Sequence, residues 1–445
     1  MRFKGTAVLF LLLAALVGWV YWTEIRGREE RERAAEAAGK ALPVEAAEID
    51  EISLVYPDGT TLTARRTGSG WEFVTPEGLE ADSGAWDSMA ANVGRVERDE
   101  TVVAEPADVA QYGLDSPAVR VQVRMAGGRS EEIRFGAENP AGTFHYTSLA
   151  SSPEVFLTAS TWPGLFRKEA DDLRDKTLLH FDQAEIDRIE MRPSGVTLRK
   201  EADGWFIEGP PRLRADDTEV ASLLGILQST RATGFGEAAG AGPDVPEAEV
   251  ALYDEGTDRR HVLAFGRPVE ANPDLLYARD DSRDPVFTVG TAIRDRLFHP
   301  ASYWRDKTIV GIDPDSIVRI EIGRPGQTPL RLQKSGDAWT LPDGREVSDT
   351  RIADMLNAFD FQEASEVFDT PEPLGAYGLD RPRLEVVLGD EGQDIHRFGF
   401  GDERAGTDQV YWKAEGETAV KAVPRAVMAP FDIADEDLLE AQPEG

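Results

Sequence analysis

Apolar positions follow two different periods in three similar stretches of the chain. Each stretch opens with a segment in which apolar and polar residues alternate, the period of a half-buried β-strand: 48–56, 185–193 and 316–324. Further along, behind an Asp or Ser that can cap a helix, apolar residues recur at i, i+3, i+4 and i+7. These stripes are Trp86, Met89, Ala90 and Val93; Val220, Leu223, Leu224 and Leu227; and Ile352, Met355, Leu356 and Phe359. The pattern predicts, three times over, a group of strands with one amphipathic helix packed on it.

One tryptophan lies between the first strand and the helix of each stretch. Trp71, Trp205 and Trp339 are equally spaced along the chain, and each ends a similar phrase: GTTLTARRTGSGW, GVTLRKEADGW and TPLRLQKSGDAW. Regular self-similarity of this kind indicates that one structural unit is present three times. We interpret each tryptophan as a core residue that closes a strand before the packed helix.

A second half-unit follows each helix. The first and third copies carry Tyr-Gly-Leu-Asp-X-Pro, beginning at Tyr112-Gly113 and Tyr377-Gly378. The second copy has PDVPEAEVAL at 243–252 in its place and has lost the Tyr-Gly-Leu-Asp. Gly supplies an unusual φ and Pro an extended entry, so the phrase predicts a turn that leads into a strand. All three copies then share Phe-Gly at 135–136, 265–266 and 400–401, a tyrosine at Tyr146, Tyr277 and Tyr411, and an apolar pair at 155–156, 286–287 and 419–420.

These elements predict an α+β fold of three tandem strand-rich repeats with one main amphipathic helix each. We place repeat 1 at 44–180, repeat 2 at 181–312 and repeat 3 at 313–445. They follow an N-terminal transmembrane anchor at 1–23 and a charged helical stalk at 24–43.

The anchor prediction rests on TAVLFLLLAALVGWVYW, residues 6–22, which contain no charged side chain. A helix of that length spans about 25 Å, the short end of what crosses a bilayer. Trp19, Tyr21 and Trp22 lie where an interfacial aromatic belt is expected. A cleaved signal peptide is the alternative, but no small-X-small cleavage site precedes the charged stretch. We expect the large domain to be exported, although arginines flank both sides of the segment.

Composition excludes several classes of function. The 82 acidic residues outnumber the 48 Lys and Arg, and the formal net charge of −34 argues against a nucleic-acid partner. The chain has no cysteine, which excludes disulfides, thiolate catalysis and cysteine-based zinc sites. The five histidines do not recur between repeats and no two lie at i, i+4, so they indicate neither a metal site nor acid–base catalysis.

Two short phrases match known sites only in part. GFGEAAG at 234–240 has one residue more than a dinucleotide fingerprint and follows a helix, so we interpret it as a linker between half-units. The acidic turn at 280–284 has carboxylates for calcium but lacks the glycine and the terminal glutamate of a calcium loop, which favours a solvated hairpin tip. The sequence predicts no catalytic residue, no metal site and no cofactor.

A charged phrase closes the first two repeats: Arg174-Asp175-Lys176 and Arg305-Asp306-Lys307, each followed by Thr. One interpretation is contact with a partner, an anionic one included. The other is a salt-bridged joint, in which the Asp pairs with the neighbouring Arg or Lys and the Thr starts the next strand. Because exposed ion pairs add little stability, such a joint would set geometry. Repeat 3 ends on FDIADEDLL at 431–439 and lacks the phrase.

The repeated phrases resemble the bacterial family called domain of unknown function 4340. The resemblance rests on Tyr-Gly-Leu-Asp-X-Pro at 112–117 and 377–382, Phe-Gly at 135–136, the Tyr146 strand, LRDKTLL at 173–179 and DGW at 203–205. It covers most of the chain after about residue 45, and the N-terminal anchor is also typical of that family. Members are often encoded beside subunits of ABC-2-type transporters. The resemblance therefore implies an extracytoplasmic accessory subunit of an exporter, and it supplies no catalytic residue.

The leading hypothesis is a non-enzymatic, membrane-anchored binding or scaffold protein on the extracytoplasmic side of the bacterial inner membrane. Its expected partner is an ABC transporter permease, an auxiliary subunit or the cargo. Three alternatives stay open: a structural spacer, a cell-envelope glycan binder and an envelope hydrolase that uses Asp175 or Asp306. A glycan binder needs exposed aromatics, for which Trp162, Trp304 and Trp412 are candidates, although we favour a core position for each.

Overall fold

Three antiparallel β-sheets follow one another along the chain. The computed structural model describes residues 39–236, 246–390 and 392–439, and within these ranges each repeat forms one sheet. The prediction of three strand-rich repeats is therefore confirmed. The predicted transmembrane anchor at 1–23 and most of the predicted stalk at 24–43 lie outside the described residues. No helix within the described ranges is long and apolar enough to cross a membrane.

Repeat 1 contains eight strands and three helices, in the chain order β1 (Ile49–Val55), β2 (Thr61–Thr67), β3 (Gly70–Thr75), α1 (Ser83–Arg95), β4 (Thr101–Val103), β5 (Val119–Met125), β6 (Ser130–Glu138), β7 (Phe144–Leu149), β8 (Val155–Ala159), α2 (Trp162–Phe166) and α3 (Ala170–Leu173). In the sheet the strands lie in the order β3-β2-β1-β5-β6-β7-β8-β4. The helix α1 therefore leaves one edge strand and leads to the other. Its predicted stripe of Trp86, Met89, Ala90 and Val93 is buried in the core of repeat 1.

Repeat 2 follows the same plan, with β9 (Ile186–Arg192), β10 (Val196–Glu201), β11 (Gly204–Ile207), β12 (Leu213–Arg214), α4 (Asp217–Ser229), β13 (Gly234–Gly236), β14 (Ala248–Asp254), β15 (Arg260–Val269), β16 (Asn272–Asp280), β17 (Val286–Gly290), α5 (Ala292–Leu297) and α6 (Ala301–Trp304). The strand order is β12-β11-β10-β9-β14-β15-β16-β17-β13, so a short extra strand, β12, extends one edge. Residues 234–236, predicted to begin a linker, instead form the edge strand β13, because Phe235 packs against Phe287 of β17. The rest of that phrase lies outside the described residues.

Repeat 3 contains β18 (Arg319–Gly323), β19 (Leu330–Ser335), β20 (Ala338–Thr340), α7 (Asp349–Leu356), β21 (Glu366–Phe368), β22 (Leu384–Gly389), β23 (Asp394–Glu403), β24 (Gln409–Ala414), β25 (Val420–Pro424) and α8 (Arg425–Met428). The order β20-β19-β18-β22-β23-β24-β25-β21 matches that of repeat 1. The helix α7 ends at Leu356. Phe359, the last residue of the predicted stripe, therefore lies in the turn that follows the helix, where it is buried.

The chain divides into two compact units after Lys176, and repeats 2 and 3 both belong to the second unit. This division comes slightly before the boundary that we place at residue 180, because Leu178 and Leu179 pack in the core of repeat 2. Ile309 likewise packs in the core of repeat 3, before the boundary that we place at residue 312. The apolar residues that follow each charged phrase thus begin the next repeat.

The three tryptophans are core residues, but their position in the strand differs from the prediction. Trp71, Trp205 and Trp339 are 6%, 7% and 5% exposed. Each is the second residue of a strand (β3, β11 and β20), so it lies near the start of the strand instead of closing one. In the first two repeats a glycine with positive φ, Gly70 or Gly204, precedes the tryptophan and lets the chain reverse into that strand.

One repeated pair is shifted by one residue in repeat 3. Strand pairing aligns Lys421, opposite Trp412, with Phe156 and Phe287 of the other repeats. The positions that correspond to the repeated apolar pair are therefore 420–421, not 419–420, and the second of them is Lys421. The sequence pattern misses this because a lysine is not expected at a buried strand position, and Lys421 is only 5% exposed.

Candidate functional site

The tyrosine of the Tyr-Gly-Leu turn packs on a second tyrosine from the same repeat. In repeat 1 the Tyr112 and Tyr146 ring centroids lie 5.0 Å apart, and in repeat 3 those of Tyr377 and Tyr411 lie 4.9 Å apart. The glycine that follows has a left-handed φ of 67° in both repeats. The phrase is thus a structural turn, which fixes the start of the second half of the repeat.

The glycine of Phe-Gly lies directly against that turn. A Cβ at Gly136 would lie 2.3 Å from the Tyr112 carbonyl oxygen, and one at Gly401 would lie 2.1 Å from the Tyr377 carbonyl oxygen. No side chain fits in that space, so the repeated glycine permits the close approach of two backbones. The sequence shows only that Phe-Gly recurs in all three repeats.

The repeated tryptophan is tied to the first turn of the packed helix. The Trp71 amide donates to Ser83 Oγ at 3.0 Å, and the Trp205 amide donates to Asp217 Oδ1 at 2.8 Å. The indole Nε1 of Trp71 also donates to Asp87 Oδ1 at 2.9 Å. These bonds hold the strand that carries the tryptophan to the helix, so the residues that mark the repeats have structural roles.

In repeat 1 the charged phrase closes the repeat on its own helix. The amides of Asp82 and Asp175 each donate at 2.9 Å to a carbonyl of the opposite segment, which pairs the end of the repeat with the residues that lead into α1. Arg174 Nη1 pairs with Asp171 Oδ1 at 3.0 Å. Lys176 is half-buried and is the last residue of the first unit.

Repeat 2 closes in the same way, and here the phrase also reaches the next repeat. The amides of Asp216 and Asp306 make the equivalent bonds at 2.8 and 3.0 Å. Arg305 Nε pairs with Asp369 Oδ1 of repeat 3 at 3.1 Å, and the two side chains are 16% and 20% exposed. Asp306 Oδ1 accepts from the Thr308 amide at 2.8 Å. The aspartate therefore caps a backbone amide, where the sequence interpretation paired it with the neighbouring Arg or Lys.

The threonine after each phrase is held by a cation of the repeat that follows. In repeat 2, Arg283 Nη1 donates to the Thr177 carbonyl at 2.6 Å. In repeat 3, the buried Lys421 donates to the carbonyls of Thr308 and Ile309 at 2.9 and 3.0 Å. Lys421 thus takes the position of a buried phenylalanine in the other repeats and makes a polar contact with the segment that joins repeats 2 and 3.

A cleft of about 590 Å³ opens beside the second charged phrase, where repeats 2 and 3 meet. We call it the joint cleft, and its lining includes Tyr303, Arg305, Lys307, Glu366 and Asp369. Small-molecule sites in proteins enclose roughly 300 to 1,000 Å³, so the joint cleft has the size of a ligand site.

Most charges of the joint cleft are paired within the protein. Arg305 pairs with Asp369, and Glu366 Oε2 lies 2.7 Å from Arg404 Nη2. Lys307, by contrast, has no carboxylate within ion-pair distance anywhere in the part of the chain that the structure describes. Its Nζ lies 5.7 Å from the ring centroid of Tyr303. Among the described residues, Lys307 is therefore the charged side chain of the cleft lining that has no ion pair.

Tyr303 gives the joint cleft a fixed aromatic wall. Its hydroxyl donates to Glu219 Oε2 at 2.6 Å, and this hydrogen bond, together with burial, raises the pKa of Tyr303 to about 12. The hydroxyl therefore stays protonated at neutral pH. The ring stacks on His299 with centroids 3.8 Å apart and an interplanar angle of 16°.

A family model matches three overlapping stretches of the chain, residues 71–246, 205–373 and 360–445, and its description is domain of unknown function, DUF4340. The chain belongs to this family. The first two matches begin at Trp71 and Trp205 and end beyond the helix of the next repeat, so the unit of the DUF4340 model straddles two structural repeats. No curated protein and no solved structure matches the chain.

The remaining sequence candidates in this DUF4340 chain are structural. Trp304 and Trp412 are 1% and 0% exposed, in agreement with the favoured core position, and neither offers an exposed ring to a glycan. Trp162 packs against the core of repeat 1. Asp280, predicted in a solvated tip, is buried and accepts from the Ser282 hydroxyl at 2.7 Å. Within the described ranges no group of three or more His, Asp or Glu is placed to hold a metal ion.

Proposed function

We propose that this protein is a non-enzymatic binding or scaffold protein, anchored in the bacterial inner membrane with its repeats on the extracytoplasmic side. We infer further that it is an accessory subunit of an ABC-2-type transporter. One observation carries the proposal: the residues that recur between the repeats build the same scaffold three times, and one of the departures between repeats lies where repeats 2 and 3 meet. This departure is Lys421.

The exposed faces of the sheets support a protein partner. In repeat 1, Glu51 pairs with Arg65 and Arg124 at 2.8 and 2.9 Å across neighbouring strands. In repeat 3, Arg397 pairs with Glu385 at 2.8 Å in the same manner. Exposed pairs of this kind contribute little to folding stability. They leave the sheet faces with charges of both signs, which a protein partner could match with charges of its own.

The membrane and transporter parts of the proposal rest on the sequence. The uncharged segment 6–22 supports the anchor, and the DUF4340 resemblance supports a transporter as the partner. An anchor directly before a long repeat array would keep the charged sheet faces close to the membrane, where a permease or its cargo is accessible.

The proposal predicts that transporter subunits are captured with the anchored chain. The full-length chain, tagged at its C-terminus, is purified from membranes in a mild detergent, and the proteins that accompany it are identified by mass spectrometry. We expect an ABC permease or ATPase subunit among them, because an accessory subunit binds its transporter through contacts outside the anchor as well as within it.

The matched control replaces residues 1–23 with a cleaved signal peptide, so that the repeats are exported without the anchor. If this version still captures the transporter after cross-linking, the repeats themselves bind it. A full-length chain that emerges alone from several detergents, with and without cross-linking, would contradict the transporter role.

A further inference from the structure

The backbone around Lys307 is fixed to both repeats. On one side, the Asp306 amide donates to a carbonyl of repeat 2 at 3.0 Å. On the other, the Lys307 carbonyl accepts from the Ala364 amide of repeat 3 at 2.8 Å, and the next carbonyl, that of Thr308, accepts from Lys421 at 2.9 Å. The backbone that carries the unpaired Lys307 is therefore held in place, so that ligand binding has to order only the side chain.

The walls of the joint cleft offer the groups that a sugar ring needs. The rings of His299 and Tyr303 stack on each other, and both residues line one wall of the cleft. A carboxylate has about four acceptor positions, so Glu366 and Asp369 can accept from ligand hydroxyls while they hold their arginines. Ser365 adds a hydroxyl that both donates and accepts.

We propose that the joint cleft binds an acidic saccharide, whose carboxylate or phosphate group pairs with Lys307. An acidic peptide would bring several negative charges close to Glu366 and Asp369, whereas a saccharide brings one anion and many neutral hydroxyls. The proposal deepens the binding role above and does not depend on the transporter.

Three probes of one ring size separate the contributions of the anion and the sugar. Glucuronate carries a carboxylate, glucose 6-phosphate carries a phosphate, and glucose carries neither. Each is titrated calorimetrically into the full-length chain in detergent. We expect both anions, or one of them, to bind at least about tenfold more tightly than glucose, because a charge-assisted hydrogen bond contributes that much. The tighter of the two identifies the anion.

The decisive variant is Lys307→Gln, which removes the charge but keeps a polar side chain. We expect it to weaken binding of the preferred anion at least about tenfold and to leave binding of glucose unchanged. The matched control is Lys334→Gln, which removes the same charge from an exposed position of β19 and should bind like the original chain. Unchanged melting temperatures in the absence of ligand show that both variants fold.

Two results would overturn the proposal. The first is that neither glucuronate nor glucose 6-phosphate binds, or that Lys307→Gln binds them as tightly as the original chain does. The other is succinate or a glutamate peptide that binds as tightly as the better sugar, which would assign the cleft to acidic peptides. The outcome is separable from that of the transporter capture: a chain that binds the sugar but purifies alone keeps the site, and a chain that captures a transporter but binds no sugar keeps only the broader role.

Discussion

Gly401 and the carbonyl of Tyr377 show, at the scale of single residues, why certain positions recur between repeats. The two backbones approach so closely that a Cβ at Gly401 would lie 2.1 Å from that oxygen and 3.0 Å from Leu379 Cγ. The same approach in repeat 1 involves Gly136 and Tyr112. A backbone atom cannot rotate away as a flexible side chain can, so only glycine fits.

We therefore expect Gly401→Ala to lower the free energy of unfolding by about 1 to 3 kcal/mol, the usual cost of overpacking. The matched control is Gly225→Ala, in which the new methyl group lies in open space on the helix α4. That variant should be stabilised by up to about 1 kcal/mol, because alanine is the better helix former. Chemical denaturation of both variants measures the difference, and equal effects in the two would contradict the close-approach argument.

Sequence reasoning predicted the tryptophans and the helical stripes because their signal is a spacing within a short segment. The role of Gly401 could not be predicted in this way. It depends on a contact between two segments that only the folded sheet brings together. The place of Lys421 was missed for a related reason, since an apolar pattern identifies buried positions by residue type and a buried lysine breaks that pattern.

At the scale of elements, the end of one repeat is fixed by backbone pairing and not by the charges of the repeated phrase. Repeat 3 lacks Arg-Asp-Lys, yet the Ser348 amide still donates to the Leu438 carbonyl at 2.9 Å, as Asp82 and Asp216 donate in the other repeats. The phrase adds a second function in repeat 2, where Arg305 pairs with Asp369 of repeat 3. In repeat 3, β25 contributes Lys421 to the same joint.

The variant Lys421→Met tests that contribution. The substitution removes the hydrogen-bond donor of the Thr308 and Ile309 carbonyls. It also removes the ion pair between Lys421 Nζ and Glu417 Oε2, which lie 3.1 Å apart. We expect the free energy of unfolding of the second unit to fall by about 2 to 3 kcal/mol, because partners of a charged donor are left unsatisfied. Lys334→Met, at an exposed position, should change it by less than about 0.5 kcal/mol.

Chemical denaturation followed by tryptophan fluorescence reports this difference, since Trp412 lies beneath the Lys421 ammonium, with its ring centroid 5.0 Å from Nζ. A Lys421→Met chain as stable as the original would show that packing alone holds the joint. The phenylalanines of repeats 1 and 2 would then be equivalent to the lysine.

The edges of the elements were the least predictable part of the fold. The short strands β12 and β13 carry no alternating pattern of their own and exist because a neighbouring edge strand offers free backbone groups. The helix α7 stops at Leu356 although its apolar spacing continues to Phe359, which is buried from a turn. In both cases tertiary contacts decide what the local sequence leaves open.

At the scale of the whole molecule, the chain has no cysteine, so a single introduced thiol can report on which side of the membrane the repeats lie. The variant Lys334→Cys places a single thiol at an exposed position of β19. We expect a membrane-impermeant maleimide to label it in cells with a permeabilised outer envelope and an intact inner membrane, because the repeats are proposed to be extracytoplasmic.

The control is Leu332→Cys in the same strand, whose position is 0% exposed and should react only after denaturation. The original chain should not be labelled at all. If Lys334→Cys reacts only after the inner membrane is broken, the repeats lie in the cytoplasm and the proposed orientation is wrong.

The joint between repeats 2 and 3 also has a mechanical consequence. The residue before Lys307 is bonded to repeat 2 and Lys307 itself to repeat 3, so no slack chain separates the two attachments. A pulling force on repeat 3 would load these backbone hydrogen bonds at once, together with the Arg305–Asp369 pair. Under tension the two repeats should therefore move together as one rigid body, and a displacement of one repeat should be transmitted to the other.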